Sequence, residues 1–570
     1  MYTAGAAFLE ALVDAGVSYI FANFGSDHPA LIEALAEAKA HGRKMPAVVT
    51  SPAEMVAMSA ADGFARVAGR AQAVFVHVEC GTQSLGGAVH NAAKGRVPVL
   101  VFAGASPFTQ EGERPGSRGE FIQWIQDVFD QRGIVRGYMK YDNELRSGTN
   151  IKQMVHRALQ FAHSDPKGPV YLMAAREVIE ERVEPVTLDL AQWQPVAPAA
   201  LPSELVAEIA SDLANAKRPL IVTSYLGRKT EVVAELVRLC ERLGIGVLES
   251  VPSAMNFPPD HTLHQGIHWN QPHQNTALAD ADVVLVLDSD IPWIPMHNRP
   301  AKDAKVHHID VDVLKEQMPL FYISATRRAK ADVPTALRQL NEAVASLNID
   351  QARVRERSAH LAQVHAARSA ELRRREEMQS GEITVEYLMA CLRAHVDENT
   401  IIVNEGVTNY QPVFDHLAMK WPGSIFTSGA GSLGWFGGAA LGIKLAAPDK
   451  TVIAVGGDGS YLFSQPSVVH WMARQYRTPF LTIVLNNRGW KAPKMSLLSR
   501  HPHGHASRAN EIDVAFDPPP DYAAIAAAAG GAFARTVKRP DEVAAALADA
   551  MAVMRDEKRA AVLDVWLAHL

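Results

Sequence analysis

Cysteine is scarce in this chain: Cys80, Cys240 and Cys391 are all that its 570 residues contain. Their wide spacing excludes a disulfide framework and any compact cysteine-based metal motif, and it suits a reduced, cytoplasmic protein. Long apolar runs are missing as well. None approaches the ~18 residues of a membrane-spanning helix, so no membrane partner is expected. Basic excess is also absent: a net charge of −6 argues against nucleic acid as a partner. No tandem repeat or low-complexity tract interrupts the chain. The opening MYTAGAAFLEALVDAG sets Glu10 and Asp14 in an amphipathic pattern, which predicts a folded helix and not a signal peptide.

What remains is a globular composition, 48% hydrophobic, long enough for about three domains. From residue 1 to 182, helical periods alternate with apolar runs at Tyr19-Phe24, Ala47-Thr50, Ala73-Val78, Val97-Ala103 and Val170-Ala174. Such alternation predicts a parallel α/β sheet. Residues 183–202 are rich in Pro, Val and Ala and read as a linker. A second α/β unit spans 203–349, with strands expected near Leu220-Thr223, Gly246-Glu249, Val283-Leu287 and Val306-Val311. Residues 350–380 carry interleaved charges and read as an exposed helical linker. A third α/β unit occupies 381–570. The expected fold class is therefore α/β, with three doubly wound parallel-sheet domains.

The stretch from Thr451 to Trp490 organises the rest. An apolar strand, Thr451-Val455, turns at Gly456-Gly457-Asp458-Gly459, a helical stretch follows, and a second strand, Phe480-Leu485, ends at Asn486-Asn487. This is a βαβ unit, and ligands in such sheets sit beyond the carboxyl ends of the strands. Gly457 and Gly459 permit close backbone approach to a phosphate, with Ser460 next in line. Asp458 offers a carboxylate oxygen, Asn487 an amide oxygen and Gly489 a backbone carbonyl, a hard-oxygen set suited to Mg²⁺.

GDGS followed by LNN resembles the diphosphate–metal motif of thiamine diphosphate (ThDP) enzymes of the acetolactate synthase, benzoylformate decarboxylase and pyruvate decarboxylase group. The Asp458–Asn487 interval is slightly longer than is usual there, a surplus assigned to the helix around His470 and Arg474. The likeness extends over nearly the whole chain. It implies pyrimidine-binding, central and diphosphate-binding domains, ThDP and Mg²⁺ as cofactors, and a cofactor spanning two subunits. At least a homodimer, and commonly a homotetramer, is implied.

Further site residues follow from the resemblance. Ser51-Pro52-Ala53-Glu54, before an apolar helix, resembles the stretch carrying the catalytic glutamate. Glu54 would exchange a proton with N1′ of the aminopyrimidine, so that N4′ can deprotonate C2 of the thiazolium. Ser26, in FANFGS, and His77, read as a strand residue in FVHVECGT, resemble the substrate-contacting serine and active-site histidine of benzoylformate decarboxylase. His28 is a further substrate candidate, and Gln83, placed in the turn after that strand, a cofactor or substrate contact. Val407, Thr408 and Asn409, in NEGVTN, resemble a diphosphate-anchoring loop. In SGAGSLGW, Gly431 would accept the 4′-amino group and Leu433 would wedge between the two rings. Trp490 and Lys491 would shape the substrate pocket, and His501, His503 and His505 are read as part of a mobile polar loop. The central domain resembles one that binds FAD in acetohydroxyacid synthases, but Ser224-Tyr225-Leu226-Gly227 and Asp288-Ser289-Asp290-Ile291-Pro292-Trp293 depart from a nucleotide loop, and FAD is not predicted.

The leading reading is an enzyme acting on a small 2-oxo acid or aldehyde, by non-oxidative decarboxylation, carboligation or both. A C–C lyase or synthase of 2-hydroxyacyl-CoA type is the alternative within the same chemistry. A nucleotide-binding regulatory protein is the alternative outside it.

Overall fold

The computed structural model describes residues 2–509 and 512–569. Among these residues the strands form three six-stranded sheets, parallel throughout. The first takes β1 (Tyr19–Ala22), β2 (Ala47–Thr50), β3 (Gln72–Val76), β4 (Val99–Ala105), β5 (Tyr141–Leu145) and β6 (Val170–Ala175), ordered β2-β1-β3-β4-β6-β5. The second takes β7 (Pro219–Thr223), β8 (Gly246–Ser250), β9 (His264–His268), β10 (Val283–Leu287), β11 (Lys305–Asp310) and β12 (Arg327–Lys330), ordered β12-β11-β10-β7-β8-β9. The third takes β13 (Thr400–Glu405), β14 (Ile425–Phe426), β15 (Thr451–Gly457), β16 (Leu481–Asn486), β17 (Phe533–Val537) and β18 (Ala561–Trp566), ordered β14-β13-β15-β16-β18-β17. The first and third sheets thus share one strand order. The middle sheet reverses direction between β7 and β10, as dinucleotide-binding sheets do.

Inner strands such as β3 (QAVFV), β4 (VLVFAGA) and β10 (VVLVL) are buried along their whole length. Helices cover both faces of such sheets, which is why these strands are continuous apolar runs and not alternating ones. The strands β5 (YDNEL), β12 (RRAK) and β17 (FARTV) depart from that pattern and are partly exposed. All three lie at sheet edges, where one side is unpaired and charged residues are tolerated.

The helices Glu54–Ala68 and Trp435–Ala446 join the first domain to the third. They approach so closely that a Cβ at Gly63 would strike the backbone of Ala439, and one at Gly442 the carbonyl oxygen of Ala60. Buried Asp62 fixes the pair: it accepts from Nε1 of Trp435 (2.7 Å) and from Nε of Arg66 (2.6 Å). One apolar core runs through the pair, from Val74 and Val76 by way of Ala60 and Phe436 to Val403 and Val484. Gly442→Ala is therefore expected to overpack this seam at a cost of about 1–3 kcal/mol. A urea titration checks it: the midpoint should fall with the slope unchanged, and an unmoved midpoint would contradict the packing described.

The charged stretch forms one helix, Gln351–Arg375. Its buried Arg357 donates to the carbonyls of Leu243 (2.8 Å) and Ala214 (3.0 Å), near the ends of two helices of the middle domain. After Trp490 the chain departs from the expected mobile loop. Lys491–Arg500 and His505–Ala509 are helical, with His501 at the end of the first and His503 in the turn between them. Lys491, Ala492 and Leu497-Leu498 supply helix formers that the polar composition had masked. No described helix is long and apolar enough to cross a membrane.

Candidate active site

The third sheet brings three strand ends to one edge. Glu405 of β13 lies beside Gly456, and Gly457 of β15 beside Leu485 of β16, so the turns after these strands are neighbours. Asp458 opens a helix, Asp458–Phe463, and is buried. Its Oδ1 accepts from the N–H of Gly459 (2.8 Å) and its Oδ2 from the N–H of Gly489 (2.9 Å). Burial raises its pKa, and these backbone donors do not fully offset that cost. Asn487, on the adjacent turn, buries its Oδ1 with no protein partner. A carboxylate short of compensating charge and an orphaned amide oxygen, on neighbouring turns, form a set of hard donors that lacks a cation. The residues present therefore fit Mg²⁺.

The two glycines of the turn differ in role. A side chain at Gly457 would meet no close neighbour, which leaves its space open to a ligand, whereas one at Gly459 would run into the ring of Trp490. The missing side chain of Gly459 thus makes room for Trp490, while the space beside Gly457 is open. Ser460 reaches the carbonyl of Glu405 at 3.4 Å. The turn Val407–Asn409 follows β13, with Val407 in the left-handed region at φ 53°, an uncommon conformation for a β-branched residue. Glu405, which sequence reading passed over, accepts from the N–H groups of Gly434 (2.6 Å) and Phe436 (2.9 Å). It thereby caps the Trp435–Ala446 helix and ties the 404–409 turn to the loop carrying Gly431 and Leu433. Burial pushes its pKa up to about 7. Gly431 is exposed and Leu433 half-buried. The loop is also held by Asn91 of the first domain, whose amide donates to the carbonyl of Ser432 (2.8 Å).

The first sheet repeats the arrangement. Strands β2, β1 and β3 are adjacent, and the residues after them converge. Glu54 is the first residue of its helix and accepts from Nδ2 of Asn23 at 2.8 Å. Gly81 lies against it, since a Cβ there would come within 3.3 Å of its Oε1. Ser26 buries a hydroxyl with no partner. His77 contacts Asp27 through Nδ1 and Oε1 of Gln126 through Nε2, the latter at 3.1 Å. The hydrogen bond to Asp27 raises its pKa above the ordinary imidazole value, against the effect of burial.

Three expectations need correction here. His77 lies past the end of β3 and caps a helix, Val78–Ser84, where a turn was expected. Gln83 belongs to that helix, is exposed, and donates to Glu79. His28 offers no face to a substrate: it is fully buried among Phe24, Phe75 and Phe102. Trp490 is half-buried against Phe463 and Phe516, and Lys491 is exposed. Asp27 and Gln126 joined the site unannounced. Asp27 stood in view between Ser26 and His28, but Gln126 lies in an irregular segment with no local signal.

Within the described chain the hydrogen bonds of Glu54 stay in the first domain and those of Asp458 in the third. The middle sheet has its own crevice, between β7 and β10, and paired charges line it. Arg96 of the first domain makes two bonds to Asp290 (2.8 and 2.6 Å). Fully buried Lys315 bridges Asp290 (2.8 Å) and Asp310 (2.6 Å), and the hydroxyl of Tyr225 donates to Asp310 (2.6 Å).

Comparison with known proteins adds independent findings. The model of the thiamine pyrophosphate enzyme N-terminal TPP binding domain matches residues 2–134. The central-domain model of the same enzymes matches residues 206–340, and the C-terminal TPP binding domain residues 406–565. Benzoylformate decarboxylase of Pseudomonas aeruginosa is 25% identical over 493 residues, covering 85% of this chain and 86% of that protein. The probable acetolactate synthase large subunit of Methanocaldococcus jannaschii is 24% identical over 465 residues, 76% of this chain and 73% of its own length. Among solved structures, the ThDP-dependent 4-hydroxybenzoylformate decarboxylase of Rhodococcus jostii RHA1 superposes with a TM-score of 0.78 at 21% identity, covering 100% of this chain and 99% of that one. That likeness is one of fold.

Proposed function

We propose, from the premise that this chain belongs to the thiamine pyrophosphate enzymes, that it decarboxylates a 2-oxo acid without oxidation and releases an aldehyde or joins it to a second carbonyl. The observation that carries this reading is the grouping of Glu54, Ser26 and His77 at one sheet edge, a proton-handling set beside the glutamate. Bound ThDP would supply the carbon nucleophile and take up the electron pair that CO₂ leaves behind. The chain's residues would do the rest. Asp458, Asn487 and the carbonyl of Gly489 would hold Mg²⁺. Val407, Thr408, Asn409, Gly457, Gly459 and Ser460 would surround the diphosphate. Gly431 and Leu433 would seat the rings, and Glu54 would hold a proton at the pyrimidine. Trp490 and Lys491 would border the substrate.

The same reading assigns 1–182, 203–349 and 381–570 as pyrimidine-binding, central and diphosphate-binding domains. It requires at least a homodimer, with a tetramer as the common arrangement of the family. Two features support an assembly: the separate bonding of Glu54 and Asp458 within one chain, and the exposed Phe121, Ile125 and Phe129 beside Gln126. The test is CO₂ release from a panel of aliphatic and aromatic 2-oxo acids, with ThDP and Mg²⁺ added. Release from at least one acid, dependent on both additions, is expected. Cleavage of 2-hydroxyacyl-CoA esters with no CO₂ from any 2-oxo acid would favour the lyase instead.

A further inference from the structure

The geometry points to Asp27 as the positioning residue of the active site: it fixes the ring of His77 and keeps a proton on it, and Gln126 covers that proton until a ligand displaces the amide. This deepens the function proposed above and rests on it for its catalytic meaning.

The site is built around the pair. Asp27 is 5% exposed; one carboxylate oxygen meets Nδ1 of His77 and the other accepts the N–H of Val78 at 3.2 Å. Two glycines clear the space. A Cβ at Gly25 would collide with the His77 ring, and one at Gly104, on β4, with the Asp27 carboxylate. Val78, a β-branched residue, is held at φ 34°. Such a conformation is strained and persists only where surrounding contacts enforce it. The bond from its N–H to Asp27 is one of those contacts, so the backbone that carries His77 is bent onto the carboxylate.

The other groups nearby do not replace His77 as the donor. Nδ1 of His28 lies 3.0 Å from Asp27 and helps keep it ionised, but the N–H of Gly25 also points at that nitrogen at 3.1 Å, and the buried His28 ring reaches no ligand space. Tyr171, on β6, bonds Thr82 and Gln131. Glu54 faces His77 from its helix, and its charge also favours the protonated ring. With Nδ1–H given to Asp27, Nε2 is left toward the oxygen of Gln126. A proton on Nε2 is donated to that oxygen. Once the proton has gone, the amide turned over presents its NH₂ to the bare nitrogen. Gln126 can thus follow either state of the ring.

The chemistry balances. Making an aldehyde from a 2-oxo acid replaces CO₂ by one proton. Nε2 of His77 gives that proton and becomes a bare acceptor, while Nδ1 keeps its own on the bond to Asp27, which stays ionised. Asp27 raises the proton affinity of the ring, so the donor form survives to higher pH. Activity that needs it is full below that pKa and falls as pH rises through it.

Two measurements on the ThDP- and Mg²⁺-loaded enzyme test this. In the parental protein, ¹⁵N-histidine NMR, with the His77 signal assigned by its loss in His77→Asn, should show His77 titrating above the ordinary ~6.5. In Asp27→Asn, which keeps an acceptor but removes the charge, both that titration and the alkaline limb of kcat/KM should move about 1–2 pH units to lower pH. ThDP affinity should not change. A parental titration at or below ~6.5 would overturn the inference, and so would an alkaline limb unmoved in Asp27→Asn. If Asp27→Asn does not fold, the parental titration decides. If no 2-oxo acid is decarboxylated, the proposed function fails, while the NMR arm still judges the pair by itself.

Discussion

Glu54→Gln is expected to leave ThDP bound while slowing proton exchange at its C2 carbon by about 10²–10⁴-fold, the usual span for loss of a positioned acid–base group. The substitution keeps the side chain's length and one hydrogen-bonding oxygen but removes the group that shares a proton. The surroundings of Glu54 let that loss be read cleanly. Its anchor, Nδ2 of Asn23, donates, and the Oε1 of a glutamine can still accept. Position is thus retained while proton transfer is lost. Gly81 keeps the space beside Oε1 clear. Glu54→Asp should fall between parent and glutamine, since the shorter side chain withdraws from both Asn23 and the ring. Deuterium exchange at C2 in ThDP-saturated protein, followed by NMR after acid quench, is the check. A parental exchange rate in Glu54→Gln would remove Glu54 from the proposed role.

Asp458→Ala and Asn487→Ala should each abolish the Mg²⁺ dependence of ThDP binding, the aspartate with the larger effect. Asp458 supplies the negative charge, and removing one partner of a buried charge pair costs about 3–5 kcal/mol, or on the order of 10²–10⁴-fold in affinity. Its carboxylate also accepts the N–H groups of Gly459 and Gly489, so the alanine variant frees the 489 turn as well as the metal. Asn487→Ala removes a neutral ligand whose Oδ1 has no hydrogen-bond partner among the described residues. Its effect on cofactor binding should thus come without loss of thermal stability of the apoprotein. Calorimetry with and without Mg²⁺ separates the cases, and unchanged ThDP affinity in both variants would sink the metal assignment.

How far the molecule can be read from its sequence depends on where each residue lies. Inner strands are legible because they are buried on both sides, which forces continuous apolar runs such as VVLVL and VLVFAGA. Edge strands such as RRAK are not, because solvent on one side removes the pattern while pairing to β11 still makes a strand. The metal turn is legible because glycine, aspartate and asparagine at the ends of two apolar runs leave few other readings. Residues recruited from afar are not. Glu405 acts on Gly434, Asn91 on Ser432, and Gln126 on His77, each across a long chain separation that no local spacing reports. His28 shows the opposite error. Its place beside Ser26 suggested a substrate contact, yet the helix it precedes turns its ring into the aromatic core.

In the proposed assembly, one cofactor site would draw Glu54 from one chain and Asp458 from its partner. Glu54→Gln and Asp458→Ala chains, each inactive alone, can be co-expressed with different tags or mixed after dissociation. Pairing unlike chains leaves one site with both changes and one with neither, so about a quarter of the parental activity should return if chains pair at random as dimers. The activity should co-purify with the doubly tagged species. Activity absent from that species, with both chains folded and paired in it, would contradict the claim.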